Sequence, residues 1–292
     1  MVTSRAAWGI DDDMPLLKAA LDDAGILWRE LAWDDDLDDA IWASCALSVV
    51  RSTWDYHRRL DDFRAWIDRV GRLSVLANSA AVLRWNIDKH YLLEAQAAGL
   101  PIVPTVFVEP STDDSWVSQV EALLSSGHVV VKPCVSAGSN DTERHDEVES
   151  AVQHVRDLLD ATRSVMVQPY LSRVDSDDET GLVFMGGAFS HAFAKGPLLS
   201  APKDVAGDLF ARERIDPREP SSAELALGER AMAWLDQRFG TLLYARIDLL
   251  PTNDGPVIVE LELTEPSLFL AMHPAAPSNI ARAIGAALDR GI

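Results

Sequence analysis

The chain has 292 residues, 48% of them hydrophobic and 25% charged, which supplies enough apolar material for a sizeable core. Its 46 acidic and 26 basic residues give a net charge of −20, a field that disfavours nucleic-acid phosphates and anionic lipid as partners. No apolar run approaches the roughly 20 residues of a bilayer span. The N-terminus turns acidic where a signal peptide needs an apolar stretch, and Cys45 and Cys134 lie far apart, so a cytoplasmic protein without structural disulfides is expected.

The first helix is predicted over residues 13 to 24, with Leu16, Leu17, Ala20 and Leu21 on one side and Gly25 as its stop. A buried strand follows over 45 to 50 and runs into the polar and aromatic cluster Arg51-Ser52-Thr53-Trp54-Asp55-Tyr56. A helix over 60 to 70 and a short strand over 73 to 77, ending at Asn78, complete an alternating pattern that predicts a parallel sheet covered by helices. Beyond it come a helix over 88 to 98, a strand over 104 to 108, a helix over 115 to 124, a strand over 128 to 131, a helix over 147 to 159 and a strand over 165 to 167. Strands over 182 to 185 and 191 to 194 flank Gly186-Gly187, a hairpin signal. A long helix over 222 to 238, strands over 242 to 250 and 257 to 263, and a C-terminal helix from about residue 279 finish the chain. The predicted fold is an α/β region followed by two smaller α+β units, with boundaries giving residues 1–87, 88–171 and 172–292.

The last hairpin carries the strongest chemical signal. Side chains alternate faces along a strand, so Tyr244, Arg246 and Asp248 share one face, and Glu260 and Glu262 share a face of the partner strand. Folding about Asn253-Asp254 brings Asp248 opposite residue 259 or 260, and three carboxylates converge. Like charges opposed across a ladder destabilise it, so a cation is expected between them. Oxygen-only ligation suits Mg²⁺, and Arg246 on the same face is placed to stabilise developing negative charge. The plainer alternative is a solvated polar face with Arg246 paired to a neighbour.

Two lysines extend the pattern. Lys132 ends a run of three valines that reads as a buried strand, where an ammonium needs an anionic partner such as a phosphate. The small polar loop Ser136-Ala137-Gly138-Ser139-Asn140-Asp141-Thr142 follows, with amides and hydroxyls able to cover phosphates, although it matches no Walker motif. Lys89 is predicted at a helix start, where donors already point toward an anion, or else simply in solvent. Gln168-Pro169-Tyr170-Leu171 reads as a strand running into an extended hinge, whose free backbone groups suit an adenine edge, or equally as an ordinary domain linker.

In this order these features resemble the ATP-grasp superfamily over about residues 86 to 270: a helix-start lysine, V-V-V-K-P, a small-residue loop, Q-P-Y-L, then R-I-D and E-L-E on a final hairpin. The resemblance implies an ATP-grasp fold, with an N-terminal parallel α/β domain and two α+β domains holding ATP between them. It implies adenine at Gln168, Pro169, Tyr170 and Leu171, phosphates at Lys89, Lys132 and Ser139, and Glu179 or Asp175 near the ribose or phosphates. Two Mg²⁺ ions would be held by Asp248, Glu260 and Glu262. Two departures stand out: Glu262 replaces the Asn common in relatives, and the phosphate loop has one glycine, Gly138.

R-S-T-W-D-Y, V-L-N-S, N-x-x-D-K-H-Y-L and E-L-E-L-T-E-P-S-L-F-L are similar to the cyclo-ligases that form D-cycloserine from O-ureido-D-serine. That likeness implies activation of the substrate carboxylate as an acyl-phosphate and ring closure by a ureido nitrogen, in antibiotic biosynthesis. Arg246 and Lys132 would be catalytic, and Arg51, Ser52, Thr53, Asp55, Thr264 and Ser267 would surround a small amino-acid-like substrate. A homo-oligomer is expected. The competing readings are a dipeptide-type ligase with the same ATP site and a non-catalytic nucleotide-binding protein.

Overall fold

The N-terminal residues alternate short apolar strands with capped helices, and they fold as a parallel sheet. The computed structural model describes residues 1–199 and 214–290. The first part comprises β1 (Val2–Thr3), α1 (Met14–Asp23), β2 (Leu31–Ala32), α2 (Asp39–Ala43), β3 (Leu47–Ser52), α3 (Leu60–Val70), β4 (Val75–Ala77) and α4 (Ala80–Asn86). Its sheet has the order β2-β1-β3-β4 with every pairing parallel. Trp33, Trp42, Tyr56, Phe63 and Trp66 fill the core beside it, with Phe63 stacked between Tyr56 and Trp66 at centroid distances of 5.0 and 5.4 Å.

The next part comprises α5 (Tyr91–Ala97), β5 (Val106–Val108), α6 (Trp116–Leu124), β6 (Val129–Pro133), β7 (Glu143–His145), α7 (Val148–Asp160) and β8 (Val165–Pro169). Its antiparallel sheet is ordered β5-β8-β6-β7. Val129 and Val131 pack toward α6 and α7, while Val130 and Lys132 take the opposite face.

The last part comprises α8 (Val174–Asp177), β9 (Glu179–Met185), β10 (Ala188–Lys195), β11 (Ile215–Arg218), α9 (Ser222–Phe239), β12 (Tyr244–Leu250), β13 (Val257–Glu262) and α10 (Ala276–Arg290). Its sheet order is β11-β10-β9-β12-β13. Gly186 and Gly187, with φ of 60° and 82°, turn β9 into β10, because a two-residue hairpin loop of this hand needs positive φ at both positions. Helix α9 starts at a complete capping box between Ser221 and Glu224, and packs Leu227, Ala231 and Leu235 into the largest core. Helices α1 and α10 close the other side of this sheet.

The structure adds elements that the sequence pattern does not announce and shifts others. β1 and β2 have two residues each, too few to show a period, and α4 is set by Ser79 accepting the Val82 amide. The strand expected at 45–50 lies at Leu47–Ser52, so Arg51 and Ser52 belong to it. The helix expected from residue 88 begins at Tyr91, which leaves Lys89 in the preceding turn.

Candidate active site

A cavity of about 730 Å³ opens between the second and third sheets, with the first part of the chain closing one end. Lys132 enters it from β6, which is hydrogen-bonded to β7 and β8 on either side and cannot turn outward. Only 9% of Lys132 is exposed, and burial lowers its pKa despite the nearby Glu260. Lys89 reaches the same space from the turn after α4. Its ammonium donates to the Ser136 carbonyl at 3.0 Å and pairs with Glu260 at 3.1 Å. Burial opposes its charge, but Glu260 outweighs that effect and raises the pKa. Lys89 thus ties the phosphate-type loop to the acidic strand.

In that loop Gly138 and Ser139 have φ of 60° and 56°, both in the left-handed region, which makes a tight turn of the chain. Both line the cavity with Ser136 and Thr142. Gln168, Pro169, Tyr170 and Leu171 form the adjoining wall. The Gln168 amide donates to Thr105 at 2.9 Å, the Tyr170 amide to the His128 carbonyl at 2.8 Å, and the Arg144 guanidinium lies 3.7 Å from the Tyr170 ring. Tyr170 also donates to Asp175 at 2.5 Å, and Asp175 does not line the cavity. Glu179 does, 3.5 Å from Lys195, its cross-strand neighbour on β10.

On the hairpin, Asp248 pairs with Glu260 and Arg246 with Glu262, with a bulge between Asp248 and Leu249. The carboxylates do converge, and the protein's own cations stand among them. Arg246 donates from Nε and Nη2 to Asp248 at 2.8 and 2.7 Å and also binds Glu262. Asp248 sits behind this guanidinium, 2% exposed, and does not line the cavity, whereas Glu260 and Glu262 do. Burial raises the Glu262 pKa well above the usual carboxylate range against the pull of Arg246, with Asp248 and Glu260 adding to the rise. Burial likewise pushes Glu265 up to about 8, with Glu260 adding. Lys89 and Arg246 offset part of their charge, and the crowded oxygen donors that Glu260 and Glu262 turn to the cavity fit a hard divalent cation.

The expected substrate residues divide. Ser267 lines the cavity, and its carbonyl accepts Arg246 Nη1 at 3.1 Å. Arg51, Ser52, Thr53, Asp55 and Thr264 do not line it, which corrects the expectation from sequence. Arg51 is wholly buried, donating to the Pro266 carbonyl at 3.0 Å and to Asp13 at 3.3 Å. Ser52 donates to Thr3 at 2.9 Å, Asp55 is held by Trp33 and Arg59, and Thr264 donates to Asn86 at 3.1 Å. Thr53 is fully buried and its hydroxyl has no partner among the described residues. These side chains shape the support of the site from behind.

Sequence reasoning missed several members. Asp13 accepts the amides of Leu268, Phe269 and Leu270 at 2.7, 3.0 and 2.6 Å and so fixes the loop after β13. Trp54 Nε1 holds the Glu265 carbonyl at 3.0 Å. Asn78 and Asn86 bracket the hairpin through the backbone of Leu243, Tyr244, Leu261 and Leu263. Lys195 ends an apolar strand as Lys132 does, and that shared signal could have revealed it. Asp11 lines the cavity and is buried, with Oδ2 unpartnered among the described residues.

Residues 1–78 match the family described as "D-cycloserine synthetase DcsG, N-terminal domain". The chain is 33% identical to the cycloserine biosynthesis protein DcsG of Streptomyces lavendulae, over 97% of this chain and 96% of that protein. The crystal structure of D-cycloserine synthetase DcsG superposes with a TM-score of 0.88, at 31% identity and with 98% of each chain covered. A D-alanine–D-alanine ligase from Bacillus anthracis shares the fold at a TM-score of 0.69 and 12% identity, with 99% of this chain and 96% of that one covered.

Proposed function

The chain is an ATP-dependent ligase of the D-cycloserine synthetase family with the ATP-grasp fold, and from that membership we propose that it closes the ring of D-cycloserine from O-ureido-D-serine. One observation carries the reading: Glu260, Glu262 and Arg246 face the same cavity as Lys89, Lys132 and the loop around Ser139. Carboxyl chemistry and phosphate binding therefore share one space.

In this proposal Gln168, Pro169, Tyr170 and Leu171 hold adenine, and Lys89, Lys132, Lys195 and the loop amides hold the phosphates. Glu260 and Glu262, with Asp248 behind Arg246 as the further carboxylate of the set, would hold two Mg²⁺ ions, which would supply positive charge at phosphate oxygens. The substrate carboxylate takes the terminal phosphoryl group of ATP and ADP leaves. The ureido nitrogen bonded to oxygen then attacks the acyl carbon, and phosphate departs. The carbamoyl remainder leaves with one water as CO₂ and ammonia. Arg246 stabilises charge on the carbonyl oxygen as the nitrogen adds. Asp11, whose free carboxylate oxygen is otherwise unexplained, and Glu265 take the substrate ammonium, while Ser267 borders the substrate. Arg51, Ser52, Thr53, Asp55 and Thr264 act as positioning residues.

A dipeptide-forming ligase must also hold the carboxylate of a second amino acid. Among the described cavity cations, Lys89, Lys195 and Arg246 already face Glu260, Glu179 and Asp248 with Glu262, and Lys132 is given to the phosphates in this proposal. That supports an acceptor tethered within the substrate. Residues 1–87, 88–171 and 172–292 serve as three domains of a cytoplasmic homo-oligomer in this reading. Among the described residues no helix is long and apolar enough to cross a membrane. The test is ADP release with Mg·ATP and O-ureido-D-serine, with and without added amino acids.

A further inference from the structure

Behind the strand that bears Lys132, away from the cavity, a second group of ligating side chains converges. β7 pairs with β6 so that Glu143 opposes Val131 and His145 opposes Val129, which puts both side chains on the face covered by α7. His154 approaches from α7 itself. His145 Nε2 lies 3.0 Å from His154 Nδ1 and 3.9 Å from Glu143 Oε2, and one ligand atom from each residue falls within 4.8 Å of the others. Two ligands on a tetrahedral zinc with 2.0–2.1 Å bonds stand roughly 3.3 Å apart, so the spacing needs only small adjustments. The other ring nitrogen of His145 is 2.6 Å from the Ser150 hydroxyl, which orients the ring as outer-shell partners orient metal-bound imidazoles. His145 is 5% exposed, while Glu143 and His154 are half-buried, so the group is enclosed but open on one side.

We propose that Glu143, His145 and His154 form a binding site for a borderline divalent cation of the zinc type, separate from the carboxylate centre in the cavity. Two imidazoles and one carboxylate favour Zn²⁺, Co²⁺ or Ni²⁺ over Mg²⁺, which prefers an all-oxygen shell. The open side leaves a fourth position for water. The ion clamps β7 to α7, and the residue between the two β7 ligands, Arg144, projects to the other face and stacks on Tyr170. Metal binding therefore fixes one wall of the cavity without taking part in the reaction.

The test uses the full chain stripped with EDTA and kept in excess Mg²⁺, so that oxygen-only sites are filled. Co²⁺ is expected to develop the intense visible bands of a four-coordinate site, breaking at one equivalent and discharged by Zn²⁺, with a rise in Tm. His154→Ala should weaken Co²⁺ binding at least tenfold and abolish the Tm rise. Glu143→Gln, at a half-buried position, should weaken it less. Absence of the bands, or bands unchanged in both variants, would overturn the site. Zinc-edge absorption on the wild-type protein needs no variant: two imidazoles in the first shell support the site, and an all-oxygen shell contradicts it.

Discussion

Replacing Asp13 by Asn asks whether the loop after the acidic hairpin is held by a single carboxylate. That carboxylate accepts three backbone amides at 2.6 to 3.0 Å and pairs with Arg51 at 3.3 Å, all in a setting where Asp13 is 5% and Arg51 0% exposed. Taken singly, hydrogen bonds to a charged group contribute about 1.5–3 kcal/mol each. Four summed would exceed about 6 kcal/mol, a large part of the 5–15 kcal/mol that stabilises a whole domain. Contacts that share one group do not add, and breaking a buried ion pair costs about 3–5 kcal/mol, so the smaller range is expected. Asn keeps the shape but turns an amide N–H₂ toward donors. Urea unfolding should show the loss, and Arg51→Met in a double-mutant cycle should reveal coupling of at least about 1 kcal/mol. The loop carries Glu265 and Ser267, whereas the nucleotide wall stands on another sheet, so KM for the amino-acid substrate should rise while KM for ATP stays constant. An Asp13→Asn protein within about 1 kcal/mol of the wild type, with unaltered substrate KM, would show that Asp13 does not hold this loop.

Glu260→Gln should nearly abolish turnover. It should also destabilise the nucleotide-free protein, because the 5%-exposed Lys89 loses its 3.1 Å counter-charge; full activity in Mg²⁺ would contradict the proposed metal role. Lys132→Met keeps the apolar stem but loses the charge, so calorimetry should find ATP binding weaker by about 1.5–3 kcal/mol, and unchanged affinity would remove Lys132 from the phosphate site. Burial, with Glu260 adding, pushes Glu265 from its ordinary 4.5 up to about 8. A carboxyl whose folded pKa lies above its unfolded value contributes stability below about 4.5 and loses it as pH rises toward 8, so Glu265→Gln should flatten the metal-free stability profile in that window.

The hairpin chemistry was legible because a period of two fixes which side chains share a face, and Arg246, Asp248, Glu260 and Glu262 do meet. The lysine in a valine run was legible for a similar reason: a charge embedded in a buried strand calls for a partner. What stayed hidden depends on distant contacts. Asp13 bonds residues 255 to 257 positions away, and Arg51 reaches Pro266 across 215, so no local pattern marks either as support for the site. The Arg51 to Tyr56 cluster looks like a ligand-binding edge in sequence, yet its polar groups are largely consumed by neighbouring loops, and Trp54 and Tyr56 are the members that face the cavity. The expected cation between opposed carboxylates was a metal ion, and the chain also furnishes Arg246 and Lys89 there, an outcome that alternation alone does not specify.

In the proposed reaction, activation and ring closure occur within one substrate molecule. A well-oriented tethered nucleophile gains about 7–11 kcal/mol over a bimolecular partner, so no second amino acid is needed. The most direct measurement incubates the protein with Mg·ATP and O-ureido-D-serine alone and counts products by mass spectrometry and coupled ADP release. One ADP, one phosphate and one D-cycloserine per substrate consumed, at a rate that added D- or L-amino acids do not raise, is the predicted result. A strict requirement for a second amino acid, with a dipeptide as the product, would contradict it.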